Sequence, residues 1–216
     1  MVHVHSLDAG NHLGKYRERI LECSEQTVLT VEKLLGIDQV DVTIARNPTW
    51  TIPETGFGGY APEANLVQIS LDPNTEGFAA NLESELSATI AHELHHAMRW
   101  RGPGYGKTLL EVLITEGLAQ CFEVSFRDGK TPIYAMPLDS NQMDELLGRA
   151  RFEFDNPNYN HNAWFFGDEA NNLPRWTGYK LGFELIKKYL VETDQTAAQA
   201  WNVTAKTVLE TLGDQT

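Results

Sequence analysis

At 216 residues the chain is long enough for one domain with a sizeable core. Its composition, 42% hydrophobic and 22% charged, is that of a globular protein rather than a disordered or repetitive one. Thirty Asp and Glu against 17 Lys and Arg give a formal net charge of −13, a field that repels phosphate backbones and anionic lipid and argues against both as partners.

Taken in chain order, Met1-Val-His-Val-His-Ser6 has no basic stretch followed by an apolar run, so a signal peptide is not expected. Nor does any later run approach the ~18 apolar residues of a membrane span, which makes the cytoplasm the expected location. Tyr16 to Leu35 has helical spacing at Ile20, Val28, Val31 and Leu34/Leu35, with Gly36 to stop it. Val40 to Ala45 alternates like a half-buried strand, and a second strand is expected at Leu66 to Leu71. Between them Gly56-Phe-Gly-Gly-Tyr60 reads as a loop or hairpin. From about Ala79 the pattern is helical: Asn81 to Arg101, then Thr108 to Phe126, about Pro174 to Leu190, and about Ala197 to Leu212. The segment before Pro174, rich in Pro and Asn, reads as loop. Cys23 and Cys121 lie nearly a hundred residues apart, in no C-x-x-C pair; a disulfide is possible but one pair does not specify an oxidising compartment. The fold expected is α+β in a single domain, residues 1–216: a small N-terminal sheet followed by a mainly helical part.

The chemistry is carried by His92-Glu-Leu-His-His96, an H-E-x-x-H motif inside the first long helix after the strands. Residues four apart lie one above the other on a helix, so His92 and His96 can reach one ion. Glu93, one step round, can touch a water on that ion without ligating it. Zinc would lower that water's pKa toward ~7, and a carboxylate could then take its proton and hand it to a leaving amine. Roughly one or two chains per hundred of this length would carry the five-residue pattern by chance, so it needs context, and its place on a helix without breakers supplies some. His95 is read as supporting or structural.

A catalytic zinc takes three protein groups and leaves a position for water. The next helix offers Glu116, in Ile114-Thr-Glu-Gly-Leu118. Periodicity alone divides evenly between a ligand and a solvated stripe of Glu116, Gln120 and Glu123. Position favours the ligand: Glu116 lies 20 residues beyond His96, with Gly102-Pro-Gly104 to turn the chain, and Gly117 beside it would let another helix come close. His161, in the polar stretch Asn160-His-Asn162, and His3, His5 and His12 near the start are the rivals. One zinc per chain is the cofactor expected.

The order His-Glu-x-x-His followed by Glu on the next helix resembles the gluzincins. More closely, Ile90 to Ala97, Gly102-Pro-Gly-Tyr-Gly106 and Thr108 to Ala119, with Trp176-Thr-Gly-Tyr-Lys-Leu-Gly-Phe183 further on, resemble a bacterial family of predicted zinc-dependent proteases, domain of unknown function 2268. The resemblance implies a zincin-like fold, His92, His96 and Glu116 as metal ligands, Glu93 as base, and a peptide or protein substrate. By the same analogy Leu66 to Leu71 would be the edge strand on which a peptide adds. Tyr179, flanked by Gly178 and Gly182, is the first choice for a donor to the oxyanion, ahead of Tyr105 and His161, with a plain core aromatic the bland alternative. Two departures matter. Gln120 stands where thermolysin-like enzymes carry an Asp that orients a ligand histidine, so that support must be built otherwise. No Gly-x-Met-Glu-Asn segment precedes the motif, which tilts the expectation to an endopeptidase. The competing reading is a non-catalytic metal-binding regulatory or chaperone-like protein on the same fold; intact Glu93 argues against it. The oligomeric state leaves no trace in the pattern.

Overall fold

The structure is a computed structural model that describes residues 1–213. It divides into two compact units: residues 1–101 with 122–129, and residues 102–121 with the chain from Lys130 onward.

The first unit contains β1 (Val2–Leu7), α1 (Arg17–Leu35), β2 (Val40–Arg46), β3 (Phe57–Glu63), β4 (Leu66–Leu71) and α2 (Phe78–Arg99). The strands form one mixed sheet in the order β1-β2-β4-β3, parallel except for β3, which runs antiparallel to β4. Register pairs Val42 with Val67 and Ile44 with Ile69, so four buried side chains share a face while Asp41 and Gln68 on the other face are exposed. Helix α1 packs on β1 and on α2, which lies along β3 and β4. Gly36 ends α1 as expected, left-handed at φ 64° with its N–H on the carbonyl of Glu32.

Three expectations change here. The Val-His alternation at the start, given no element from the sequence, is a strand, β1, and its apolar–polar period of two is the signal for it. The glycine-rich stretch is itself a strand, β3, because bare glycines let neighbours press against both faces of it. In consequence Leu66–Leu71 is an interior strand and β3 is the edge of the sheet beside α2.

Every residue from Ile90 to Ala97 is buried. A helix segment enclosed on all sides is normally apolar, yet this one holds His92, Glu93, His95 and His96, and buried ionisable groups need partners.

The second unit holds most of α3 (Leu109–Glu123), whose last two residues belong to the first unit, and α4 (Ser140–Arg151), α5 (His161–Phe166), α6 (Thr177–Thr193) and α7 (Ala205–Thr211). Leu113, Ile114, Leu118, Trp164, Phe165, Leu181 and Ile186 build its core. Helices α4 and α5 occupy the stretch expected as loop. Their signals were the caps: Asp139 and Asn160 each accept from the amide three residues on. The last helix is shorter than expected and begins at Ala205, where Thr204 caps it. At α3 and α6 the backbones meet through glycine: a Cβ on Gly117 would lie 2.1 Å from the carbonyl oxygen of Gly182.

Candidate metal centre

Helix geometry places His92 and His96 one turn apart, and their Nε2 atoms approach to 2.9 Å. The Nδ1 of His92 donates to Oε2 of Glu123 at 2.8 Å. An ionised carboxylate only accepts, so Nδ1 carries the hydrogen and the lone pair of His92 is left on Nε2, toward His96. Glu116 is buried and accepts a hydrogen bond from the hydroxyl of Tyr105. One ligand atom from each of His92, His96 and Glu116 lies within 4.8 Å of the other two, and all three residues are buried. Among the described residues it is the one trio of His, Cys, Asp or Glu so arranged.

The donor set fits a zinc ion. Two imidazoles and a carboxylate are a usual catalytic set, and tetrahedral bonds of ~2.0–2.1 Å ask for donors roughly 3.3 Å apart. The 2.9 Å between the imidazole nitrogens is within a few tenths of an ångström of that spacing.

Of the stripe Glu116, Gln120 and Glu123, none is solvated: they are 3%, 0% and 0% exposed. The support that Gln120 could not give comes from Glu123, one turn further along the same helix. Sequence reasoning named Glu123 only as a member of that stripe. The chemical signal was a carboxylate seven residues after Glu116, two turns on and on the same face.

Glu93 is buried, and edge strand β3 leaves space for it. A Cβ on Gly59 would lie 2.4 Å from Cγ and 2.6 Å from Oε1 of Glu93, so the carboxylate rests against a bare stretch of backbone. His95 is wholly buried with its ring 5.5 Å from that of Phe122, in line with a structural role. His3, His5 and His12 are exposed, and His5 pairs with Asp41 at 2.6 Å.

In the second unit His161 is the first residue of α5 and half-buried rather than exposed. Its ring stacks on Phe165 at 4.5 Å, and its Nδ1 lies 3.0 Å from the hydroxyl of Tyr159. Burial pushes the Tyr159 phenol up to about 12, with the charge of Glu116 adding to the effect. Burial also lowers the pKa of His161, and the charge of Glu116 partly opposes this. Both groups therefore lie within the field of Glu116. A phenol can donate or accept, so the Tyr159 bond suits either neutral tautomer of His161; with Tyr159 donating to Nδ1, the imidazole carries its hydrogen on Nε2. Tyr179 packs edge-on against Phe165 at 4.9 Å and near Tyr134 at 5.4 Å. Gly178 and Gly182 permit close packing as expected, the first against the ring of Phe165 and the second against the carbonyl of Leu113.

No helix among the described residues is long and apolar enough to cross a membrane. No curated protein and no solved structure shows significant similarity to the chain. Residues 20–210 match the family described as "Predicted Zn-dependent protease (DUF2268)". With its motif helix and buried His-x3-His-plus-Glu trio in place, the chain belongs to this predicted zinc-dependent protease family.

Proposed function

We propose that this protein is a zinc-dependent peptidase, with an endopeptidase favoured, in which His92, His96 and Glu116 hold one zinc ion and Glu93 is the general base. The observation that carries the reading is the convergence of three buried ligand atoms, two of them from the helix that also carries the buried carboxylate of Glu93. When bound, zinc acts as a Lewis acid that polarises a peptide carbonyl and makes a water acidic near neutral pH. Everything else falls to the chain. Glu93 takes a proton on its carboxylate and returns it to the departing amine. Tyr105 and Glu123 hold Glu116 and His92 in the orientation that points their donor atoms inward.

The open edge of β3 gives an extended peptide somewhere to lie. Asp72 N–H donates to Gly56 O at 2.8 Å on the β4 side, and Ile52 N–H donates to Phe57 O at 2.9 Å on the other. Alternation along the strand then turns the N–H and C=O of Gly59 outward to the open edge. A substrate strand paired there runs past Glu93, and its main-chain hydrogen bonds hold the scissile carbonyl in place. For the oxyanion we propose His161 in the tautomer that accepts from Tyr159 at Nδ1 and donates from Nε2, ahead of Tyr179, whose ring packs against Phe165 and near Tyr134. Both units serve one catalytic domain in this proposal, since α3 begins in one and ends in the other.

The test is metal content of the purified chain and hydrolysis of a mixed fluorogenic peptide library. Wild type should carry about one zinc and cleave, Glu116→Ala should lose the metal, and His161→Asn should lower kcat more than Tyr179→Phe. Zinc without cleavage would remove the peptidase claim, and absence of metal binding would remove the centre altogether.

Gly59→Ala should retain zinc yet lower kcat by about 10–100-fold. The new methyl needs the space that Glu93 occupies, and a displacement of about 1 Å at a catalytic group is enough for such a loss. Unchanged kcat would show that Glu93 does not work from this position.

A further inference from the structure

We propose that Arg127 and Glu85 are positioning residues for the metal ligand His92, acting on it through Glu123. The inference rests on the zinc-peptidase reading. Glu85 and His92 stand seven residues apart on α2, two turns along the same side. Glu123 is the last residue of α3, and Arg127 follows four residues later, after the single 3-10 turn Val124–Phe126. Arg127 Nε donates to Glu123 Oε1 at 3.3 Å, and its Nη1 donates to Glu85 Oε1 at 2.5 Å. The other oxygen of Glu123 accepts from His92 Nδ1. The four side chains thus close a loop that leaves α2 at Glu85 and returns to it at His92.

The loop has a mechanical purpose. A carboxylate held at one oxygen can still turn about its last side-chain bond, whereas one held at both oxygens cannot. The guanidinium is a planar fork, and here two of its nitrogens fix one carboxylate from each helix. With Glu123 locked, the hydrogen bond to Nδ1 sets the plane of the His92 ring and so the direction of Nε2. The side chains of Glu123, Arg127 and Glu85 are 0%, 9% and 18% exposed, so water competes little for these bonds. In this scheme Arg127 acts on His92 through Glu123. Nothing in the sequence flags the pair: Glu85 belongs to no motif, and Arg127 falls beyond the expected helix end at Phe126.

The experiment uses the full chain, stripped of metal and reloaded. Zinc affinity is measured by competition with a chromophoric chelator, and the ligand field by the visible absorption of bound cobalt(II). Glu123→Gln and Arg127→Met should each weaken zinc by about 10–100-fold and change the cobalt spectrum, with Arg127→Lys falling between them and wild type. Removing a buried guanidinium can unfold the chain, so Glu85→Gln, which keeps the shape and removes the charge that strengthens its hold on Arg127, is the second variant. It should weaken zinc several-fold in a protein whose circular dichroism is native. Zinc affinity within twofold of wild type and an unaltered cobalt spectrum in folded Glu85→Gln and Arg127→Lys would overturn the proposal. A wild type that binds no zinc would instead overturn the peptidase reading, and this proposal with it.

Discussion

Glu93→Gln should keep the full zinc complement and lose about 10²–10⁴-fold in kcat, or about 3–5 kcal/mol of barrier stabilisation. The substitution is nearly isosteric, so the side chain still fits against the bare backbone of Gly59 and the burial of α2 is undisturbed. What disappears is basicity: an amide cannot take the proton that the reaction must move. KM should change little, because in the proposed binding mode the substrate strand is held by the edge of β3 and not by this carboxylate. Kinetics and metal analysis on the same preparation separate the cases. Loss of zinc would make Glu93 a ligand, and kcat above about a tenth of wild type would remove it as the base.

The sequence was most legible where a single short-range rule sufficed. The spacing of His92 and His96 needs only helical geometry, and Gly36 needs only the preference of a helix end for a left-handed residue. Strand β3 was missed because its composition is that of a turn; the reason for its glycines lies in what touches them, the Trp50 carbonyl at Gly58 and Glu93 at Gly59. That single misreading also moved the edge of the sheet from β3 to β4. Helix α4 was missed because few of its residues are buried, only Leu146 and Ala150, so its apolar period is thin. Its cap at Asp139 was readable, but such local signals carry little weight without a following apolar stripe.

The candidate centre divides along similar lines. The trio was readable because helical spacing pairs His92 with His96, while Glu116 followed from its position on the next helix after the Gly102-Pro-Gly104 turn and not from its period. Its supports were less so. Glu123 was visible only as part of a stripe that periodicity could assign equally to solvent, and burial decides it. Tyr159 carries no motif at all: its bond to His161 depends on a turn that ends in the Asn160 cap of α5. Groups that position ligands are chosen by three-dimensional fit across chain segments, and one sequence records that fit in no fixed spacing.

The crossing of α3 and α6 yields the other large effect. Gly117→Ala places a methyl carbon 2.1 Å from the carbonyl oxygen of Gly182 and 2.5 Å from its carbonyl carbon; Gly182→Ala meets the carbonyl of Leu113 at 2.2 Å. These obstacles are backbone and cannot swing away, so the helices must separate. Overpacking typically costs about 1–3 kcal/mol, and backbone obstruction puts each variant at the upper end, about 3 kcal/mol. In a chain of this length that is a Tm lower by roughly 6–12 °C. The double variant should fall well short of the sum, because one separation accommodates both methyls. Gly148→Ala is the control: it lies inside α4 with open space around it, and should stabilise by about 0.5–1 kcal/mol through helix propensity. Calorimetry with and without zinc adds a readout at the centre. Glu116 is the residue before Gly117, so moving the helix also moves a proposed ligand, and the Tm gain that bound zinc should confer would shrink in Gly117→Ala. A Tm within 2 °C of wild type for both single variants would mean that the helices have room to spare, and that Gly117 does not set the depth at which Glu116 is held.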